Sequence, residues 1–336
     1  METLYQDHMQ RTISSVGRDL HAHPLCRNRA ILPTRALEDL ANQIVLWLDN
    51  LLPGGVVWGI SRAGKSQASM YMARNFNELT GLSIPIAMIS MWSPSQTSIT
   101  ERRFFQELLH CIGYAIPNSG TAAEKRRRAI DLMKEQALEK MEYRYLLIVD
   151  EAQNLAVPQY EHLSDLYNAL NMENIQLITV SVGSPELLTM KERFRAEGKG
   201  NMIGRFMTAV HRFDGILGFA DFARIVESLD FGSEFPVGSD ISYTQYYLPV
   251  AFGSGFRLSN CSQEMWTVLL NECHKAGMTK ISELPMQPIT ALISWILKTL
   301  SKQDRADLDV SSEFLAEAVQ RVSLLQILDL AKAQHP

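Results

Sequence analysis

The chain has 336 residues, 46% hydrophobic and 21% charged, with a net charge of -5, enough for one large or two modest domains with a sizeable core. The acidic balance excludes a protein that grips nucleic acid over its whole surface, so any DNA contact has to come from a local basic patch, or from one patch repeated by many subunits. No apolar run reaches transmembrane length, Met1 to Arg18 lacks a secretory apolar region, and the cysteines Cys26, Cys111, Cys261 and Cys273 form no C-x-x-C pair, so a cytoplasmic protein with reduced thiols and no membrane partner is expected.

In chain order, residues 1–35 read as an N-terminal extension with scattered basic residues and little apolar periodicity. It includes His21-x-His23, a pair with no further metal ligands near it in sequence. Ala36 to Leu52 predicts a helix with Leu37, Leu40, Ile44, Val45 and Leu48 on one face, ended by Pro53-Gly54-Gly55. The apolar run Val56-Val57-Trp58 then leads into Gly59-Ile60-Ser61-Arg62-Ala63-Gly64-Lys65-Ser66, and Gln67 to Glu78 predicts a helix. This octapeptide matches the phosphate-loop pattern G-x-x-x-x-G-K-S/T at every fixed position. Glycines let the backbone wrap a phosphate so that successive N–H groups face the anion, and the helix N-terminus adds positive potential. Gly59, Ser61, Arg62, Ala63, Gly64, Lys65, Ser66 and Gln67 are thus the candidate nucleotide contacts. Lys65 is expected to reach the β- and γ-phosphates and Ser66 to ligate magnesium.

Alternating elements follow. Ile84–Met91, Tyr145–Val149 and Ile175–Val182 predict strands; Thr100–Cys111, with Thr100 as N-cap, Ala122–Met141 and Tyr160–Leu170 predict helices. Such alternation implies an α/β fold, a parallel sheet flanked by helices, over residues 36–215. From about Gly215 the strand signal fades. Ala220–Leu229, Gln263–Ala276, Ile289–Leu300 and Glu313–Ala333 predict helices, and Asp230–Gly255 reads as an irregular insertion, so residues 216–336 form a small helical lid domain.

The second half of the site is Leu146-Leu147-Ile148-Val149-Asp150-Glu151. A buried strand delivers two acids at its C-terminal end, where open α/β sheets bind ligands. Asp150 is expected to hold magnesium and Glu151 to polarise the attacking water as general base. After the next strand, Ser184, ahead of Ser181, is placed to hydrogen-bond the water or the γ-phosphate; turn chemistry is the plain alternative. Arg205 reads as an arginine finger reaching a neighbouring subunit's γ-phosphate, with Arg193 and Arg195 as competitors. Arg257, opening the helical domain, is a second phosphate contact or an ordinary helix-start residue.

These stretches, with Val149-Asp150-Glu151-Ala152-Gln153-Asn154-Leu155, Val182-Gly183-Ser184-Pro185-Glu186-Leu187, Gly204-Arg205-Phe206 and the early His23-Pro24 with Arg27, resemble the AAA+ ATPases, and within them the TnsC/TniB family of transposition regulators. Gln153 stands where relatives often carry histidine, and Ser184 where threonine, glutamine or asparagine is more usual. The resemblance implies ATP-bound subunits that assemble as a ring or filament on duplex DNA, linking a target-selection factor such as a TniQ-type adaptor, in some relatives CRISPR-driven, to the transposase. Hydrolysis would restrict or dismantle the assembly. It points to the region after the second strand for DNA contact, where Arg102 and Arg103 or the run Lys125-Arg126-Arg127-Arg128 could track a phosphate backbone independently of sequence. A solvated helix face is the alternative for that run. Competing functions are a replication-initiator or loader-type AAA+ ATPase, a secretion-type ATPase, and a nucleotide switch that barely hydrolyses.

Overall fold

The computed structural model describes residues 19–91, 100–278 and 281–333; expectations for residues 1–18 lie outside them. The chain forms two compact units. One comprises residues 36–60 and 65–213; the other comprises the residues up to 35, residues 61–64 and those from 214 onward.

In the first unit, β1 (Gly54–Trp58), β2 (Ile86–Ser90), β3 (Arg144–Asp150), β4 (Gln176–Gly183) and β5 (Ala209–Arg212) form one parallel sheet in the order β2-β3-β4-β1-β5. α1 (Arg35–Asp49) precedes the sheet, and the crossovers that parallel neighbours need are supplied by α2 (Lys65–Thr80), α3 (Glu101–Cys111), α4 (Ala122–Glu139), α5 (Val157–Met172), α6 (Glu186–Ala196) and α7 (Gly200–Phe206). Covered on both faces, β3 is a continuous apolar run, and Tyr145 to Val149 are all buried.

Two local readings change. Gly54 and Gly55 belong to β1 instead of ending the helix. The space a Cβ would need at Gly55 is filled by the Trp47 ring, 2.6 Å from that position. Trp47 thereby joins Ala36, Leu40, Ile44 and Leu48 on the buried face of α1, while Leu37 and Val45 are only half-buried. Helix starts follow their caps. Thr100 accepts from the Arg103 N–H, and Thr121 and Glu124 exchange side-chain-to-backbone bonds in a capping box at the head of α4, a device worth about 1 kcal/mol.

The second unit contains α8 (Phe219–Phe231), α9 (Tyr243–Tyr247), α10 (Pro249–Gly253), α11 (Ser262–Lys275), α12 (Met286–Leu300), α13 (Ser312–Arg321) and α14 (Leu324–Ala333). The stretch read as an irregular insertion carries α9 and α10, because Tyr243, Tyr247, Leu248 and Ala251 recur at helical spacing and are buried. The single helix expected from Glu313 breaks at Ser323, whose φ is +51°. Leu25 and Leu32 of the N-terminal segment sit in the same core as α8 and α12. His23 is buried among Phe235, Tyr243, Tyr246 and Tyr247, with ring centroids 4.4–5.1 Å away.

Candidate nucleotide-binding site

Strand order places the site. β4 lies between β3 and β1, so the chain leaves three adjacent strands on one edge of the sheet: the loop after β1, Asp150-Glu151 after β3 and Ser184 after β4. Register aligns Trp58 with Gly183 and Val149 with Ser181. Gly59 and Ser184 are therefore the next residues on neighbouring strands.

In the loop, Arg62 and Gly64 take φ of +64° and +107°. Left-handed residues turn successive N–H groups toward one concavity, the arrangement that cradles anions. Gly64 suits this without strain; Arg62, with its exposed side chain, carries the cost that non-glycine residues bear there. Gly59 is required for a different reason: a Cβ would stand 2.2 Å from the Phe213 carbonyl oxygen. Ala63 is buried and Ser61 exposed, and the Arg62 carbonyl accepts from the Gln287 N–H at 3.1 Å. Lys65 opens α2, and its Nζ donates to the carbonyls of Gly59 at 2.8 Å and Ile60 at 2.7 Å, which folds the ammonium back over the loop. Ser66 and Gln67 follow, half-buried in the first turn.

Across the strand edge, Asp150 is buried and the Ser66 hydroxyl hydrogen-bonds its carboxylate. Burial raises the Asp150 carboxyl above the ordinary carboxylate range. The Ser66 bond opposes this, the Glu151 charge adds to it, and Lys65 opposes it. A hydroxyl and a buried carboxylate held together, with a lysine close by, are a donor set suited to magnesium beside a phosphate. Glu151 is left-handed at φ +54° and half-buried. Gln153 Nε2 donates to its carboxylate at 2.5 Å, and the Ser184 N–H donates to Gln153 Oε1 at 3.2 Å. Gln153 is the member of this network that sequence reading left without a role. The only signal was its departure from histidine. The Ser184 and Ser181 hydroxyls are buried without hydrogen-bond partners among the described residues, and only Ser184 stands beyond the end of β4.

The remaining candidates lie elsewhere. Arg205 is on α7, its guanidinium 5.5 Å over the Tyr167 ring. Its carbonyl approaches the Gly54 position, where a Cβ would be 2.4 Å from it, so it sits at the opposite end of β1, roughly 16 Å of strand from the loop. That placement puts Arg205 out of reach of its own loop, so it serves either a neighbouring subunit or the packing against Tyr167. Arg193 and Arg195 are exposed and pair with Glu197 and Glu192. The Arg257 guanidinium donates to the carbonyls of Phe252 at 2.9 Å and Phe256 at 2.6 Å and lies 3.6 Å from the Phe252 ring centroid. These contacts favour the helix-start reading of Arg257 over a phosphate contact.

The two basic segments converge. Arg102 and Arg103 are exposed in the first turn of α3, and the charges of Arg102 and Arg128 both bear on Lys125 of α4. Lys125 itself is buried, its Nζ bonded to the Pro117 carbonyl. This corrects its reading as a DNA contact, since the ammonium is used inside the fold. Arg126 pairs with Glu101 and Asp165, Arg128 bonds the Ser119 carbonyl at 2.9 Å, and Arg127 is exposed beside Asp131. Arg102, Arg103 and Arg127 are thus exposed and Arg128 half-buried, and of these Arg102 and Arg128 both lie near enough to Lys125 for their charges to act on it. Among the described residues no helix is long and apolar enough to cross a membrane.

Residues 53–190 match the AAA domain family. No curated protein matches the chain. Among solved structures, the ORC2 protein of Aeropyrum pernix, determined as ADPNP-ADP complexes, is 15% identical with a TM-score of 0.52, over 87% of this chain and 69% of that one. Drosophila ORC bound to DNA is 12% identical with a TM-score of 0.50, over 94% of this chain and 70% of that one. At such identities the likeness is one of fold. The parallel five-stranded sheet flanked by helices has the AAA+ P-loop fold, and a helical C-terminal region follows it in the chain.

Proposed function

We propose that this protein is an ATPase that uses ATP to control its assembly on duplex DNA. The supporting observation is the convergence of Lys65, Ser66, Asp150, Glu151 and Ser184 on one sheet edge while Arg205 lies at the other end of β1. Such a chain carries most of a hydrolytic site and presents the missing cation to a neighbour. Lys65 and the loop amides bind the phosphates. Ser66 and Asp150 would hold magnesium, which supplies charge neutralisation at the phosphates. Glu151 takes a proton from water as the water oxygen bonds to the γ-phosphorus. The bond from that phosphorus to the β–γ bridging oxygen breaks, leaving ADP and inorganic phosphate, and the proton passes to solvent. Ser184 orients the water or the γ-phosphate, and Arg205 of an adjacent copy offsets the charge that develops there.

The finer reading is a regulator of DNA transposition of the TnsC/TniB kind, contacting a transposase and a TniQ-type or other targeting partner. Its support is the motif resemblance and the exposed arginines of the two basic segments, suited to backbone contact. The replication-initiator reading stands beside it, supported by the fold shared with the Aeropyrum pernix and Drosophila initiator structures. Electron microscopy with a slowly hydrolysed ATP analogue and duplexes of unrelated sequence tests both. Rings or filaments on every duplex, absent in Lys65→Ala, support the regulator. Loading on particular sequences supports the initiator. Monomers under all conditions refute nucleotide-driven assembly.

A further inference from the structure

We propose that Gln153 is the positioning residue of the hydrolytic site, orienting the Glu151 carboxylate and tying it to the end of β4. This rests on the reading of Glu151 as general base.

Both ends of the Gln153 amide are engaged. Nε2 donates to Glu151 at 2.5 Å, and Oε1 accepts from the Ser184 N–H at 3.2 Å. The opposite amide orientation would set oxygen against carboxylate and NH2 against N–H, so the network admits one assignment. The residue stands in the 3-10 turn Ala152–Asn154, which Asn154 anchors by donating to the Met91 carbonyl at 2.7 Å. Glu151 enters that turn in the left-handed region, at φ +54° and ψ +37°. Such a backbone swings its side chain back within reach of a residue two positions on. Across the gap, Gly183 makes the approach possible: a Cβ there would stand 2.1 Å from Gln153 Oε1.

The choice of an amide has a chemical reason. Asp150 and Glu151 are adjacent acids whose charges already act on each other. A lysine or arginine on Glu151 would lower its basicity by direct charge pairing. A neutral donor fixes the carboxylate geometry and leaves more of its affinity for the water proton. The second bond adds communication. Any displacement of the β4 end moves the Ser184 N–H, and the amide carries the displacement to Glu151.

Single-turnover and steady-state ATP hydrolysis, with and without duplex DNA, tests this beside titration with a fluorescent non-hydrolysable ATP analogue and magnesium. Gln153→Ala is expected to lower kcat about 10–100-fold, the usual cost of losing an orienting partner, with analogue affinity within threefold of wild type. Gly183→Ala, which crowds the amide without removing it, is expected to lower kcat in the same direction. Combined with Gln153→Ala it should add no further loss, because both act through one contact. Gln153→Glu supplies a readout that simple packing would not move. Two facing carboxylates share one proton, and the singly protonated pair restores a donor to Glu151. Its kcat should therefore rise relative to that of wild type as pH falls from 8.5 to 6. Wild-type kcat in Gln153→Ala, affinity loss matching the kcat loss, or multiplying effects of the two substitutions would overturn the proposal alone. Wild-type protein that binds the analogue and never turns over ATP would overturn the ATPase reading together with it.

Discussion

The two units bury polar groups for different ends. In the α/β unit, the buried Asp150 and the Ser184 hydroxyl, which has no hydrogen-bond partner among the described residues, gather at one sheet edge beside Lys65. In the helical unit, His23 is packed inside a ring of aromatics and Asp230 caps the backbone N–H groups of Leu258 and Ser259. Burial in the first costs stability and leaves chemistry available. Burial in the second is matched to packing and, at Asp230, to local hydrogen bonds, while His23 Nε2 and the Thr244 hydroxyl have no hydrogen-bond partner among the described residues. An unpartnered polar atom therefore marks a candidate site where a lysine and adjacent acids converge on it, as at the sheet edge, and not where aromatic packing alone surrounds it.

Substitutions can break or sharpen that contrast. The largest expected effects are at the sheet edge. Lys65→Ala should weaken ATP binding at least about 100-fold and abolish nucleotide-dependent assembly, as judged by light scattering; unchanged assembly would remove the loop from control. Glu151→Gln should retain nucleotide, trap the ATP-bound oligomer and lower turnover by about 10²–10⁴-fold, the range of general-base catalysis. Rapid turnover by that variant would take Glu151 out of the role.

An effect of about 3 kcal/mol is expected in the helical unit. Burial, followed by the Lys298 charge, holds the His23 imidazole down at about 4 from an ordinary 6.5. The unfolded chain then binds the extra proton between those values, so stability falls as pH drops from 6.5 to 4. His23→Phe should flatten that acid limb of a denaturation series; an unchanged slope would show that His23 does not set it.

Removing charge from Arg102, Arg103, Arg127 and Arg128 should weaken duplex binding evenly across sequences and flatten its salt dependence by about one unit of slope per lost phosphate contact. Lys125→Met should instead lower the melting temperature, because Lys125 is buried in α4. The smallest effect is at Asp150. Its raised carboxyl contributes stability fully present below the unfolded value and lost as pH rises through the folded one. At neutral pH, Asp150→Asn should raise the melting temperature by a few degrees while weakening magnesium-dependent nucleotide binding. A fall in melting temperature would place Asp150 with the architectural group.

Much of the site was legible because phosphate chemistry dictates residue types at short spacing. Gly64, Lys65 and Ser66 lie within three positions of one another, and Asp150 and Glu151 follow an apolar strand that declares itself. Gln153 was not legible as a functional residue. Its partners, Glu151 and Ser184, follow the ends of different strands, and the space it needs exists only because position 183 lacks a Cβ. Lys125 misled for the converse reason. A basic run marks charge, whereas burial depends on which face of α4 meets its neighbours. The aromatic helices after Asp230 were hidden by their glycine and serine content, and their helical form comes from the burial of Tyr243, Tyr247 and Ala251.

By itself, the amino-acid sequence determined an α/β phosphate-binding fold, its magnesium and hydrolysis candidates and the alternation of elements, since these follow from local periodicity and from motifs whose spacing is chemical. Only tertiary structure decided that β4 lies between β3 and β1, that Arg205 stands at the far end of the sheet from its own loop, that Arg102 and Arg128 both lie near a buried lysine, and that Gln153 joins Glu151 to Ser184. Each of these depends on strand order or on the facing of a helix, and long-range pairing of that kind leaves no fixed spacing in the chain.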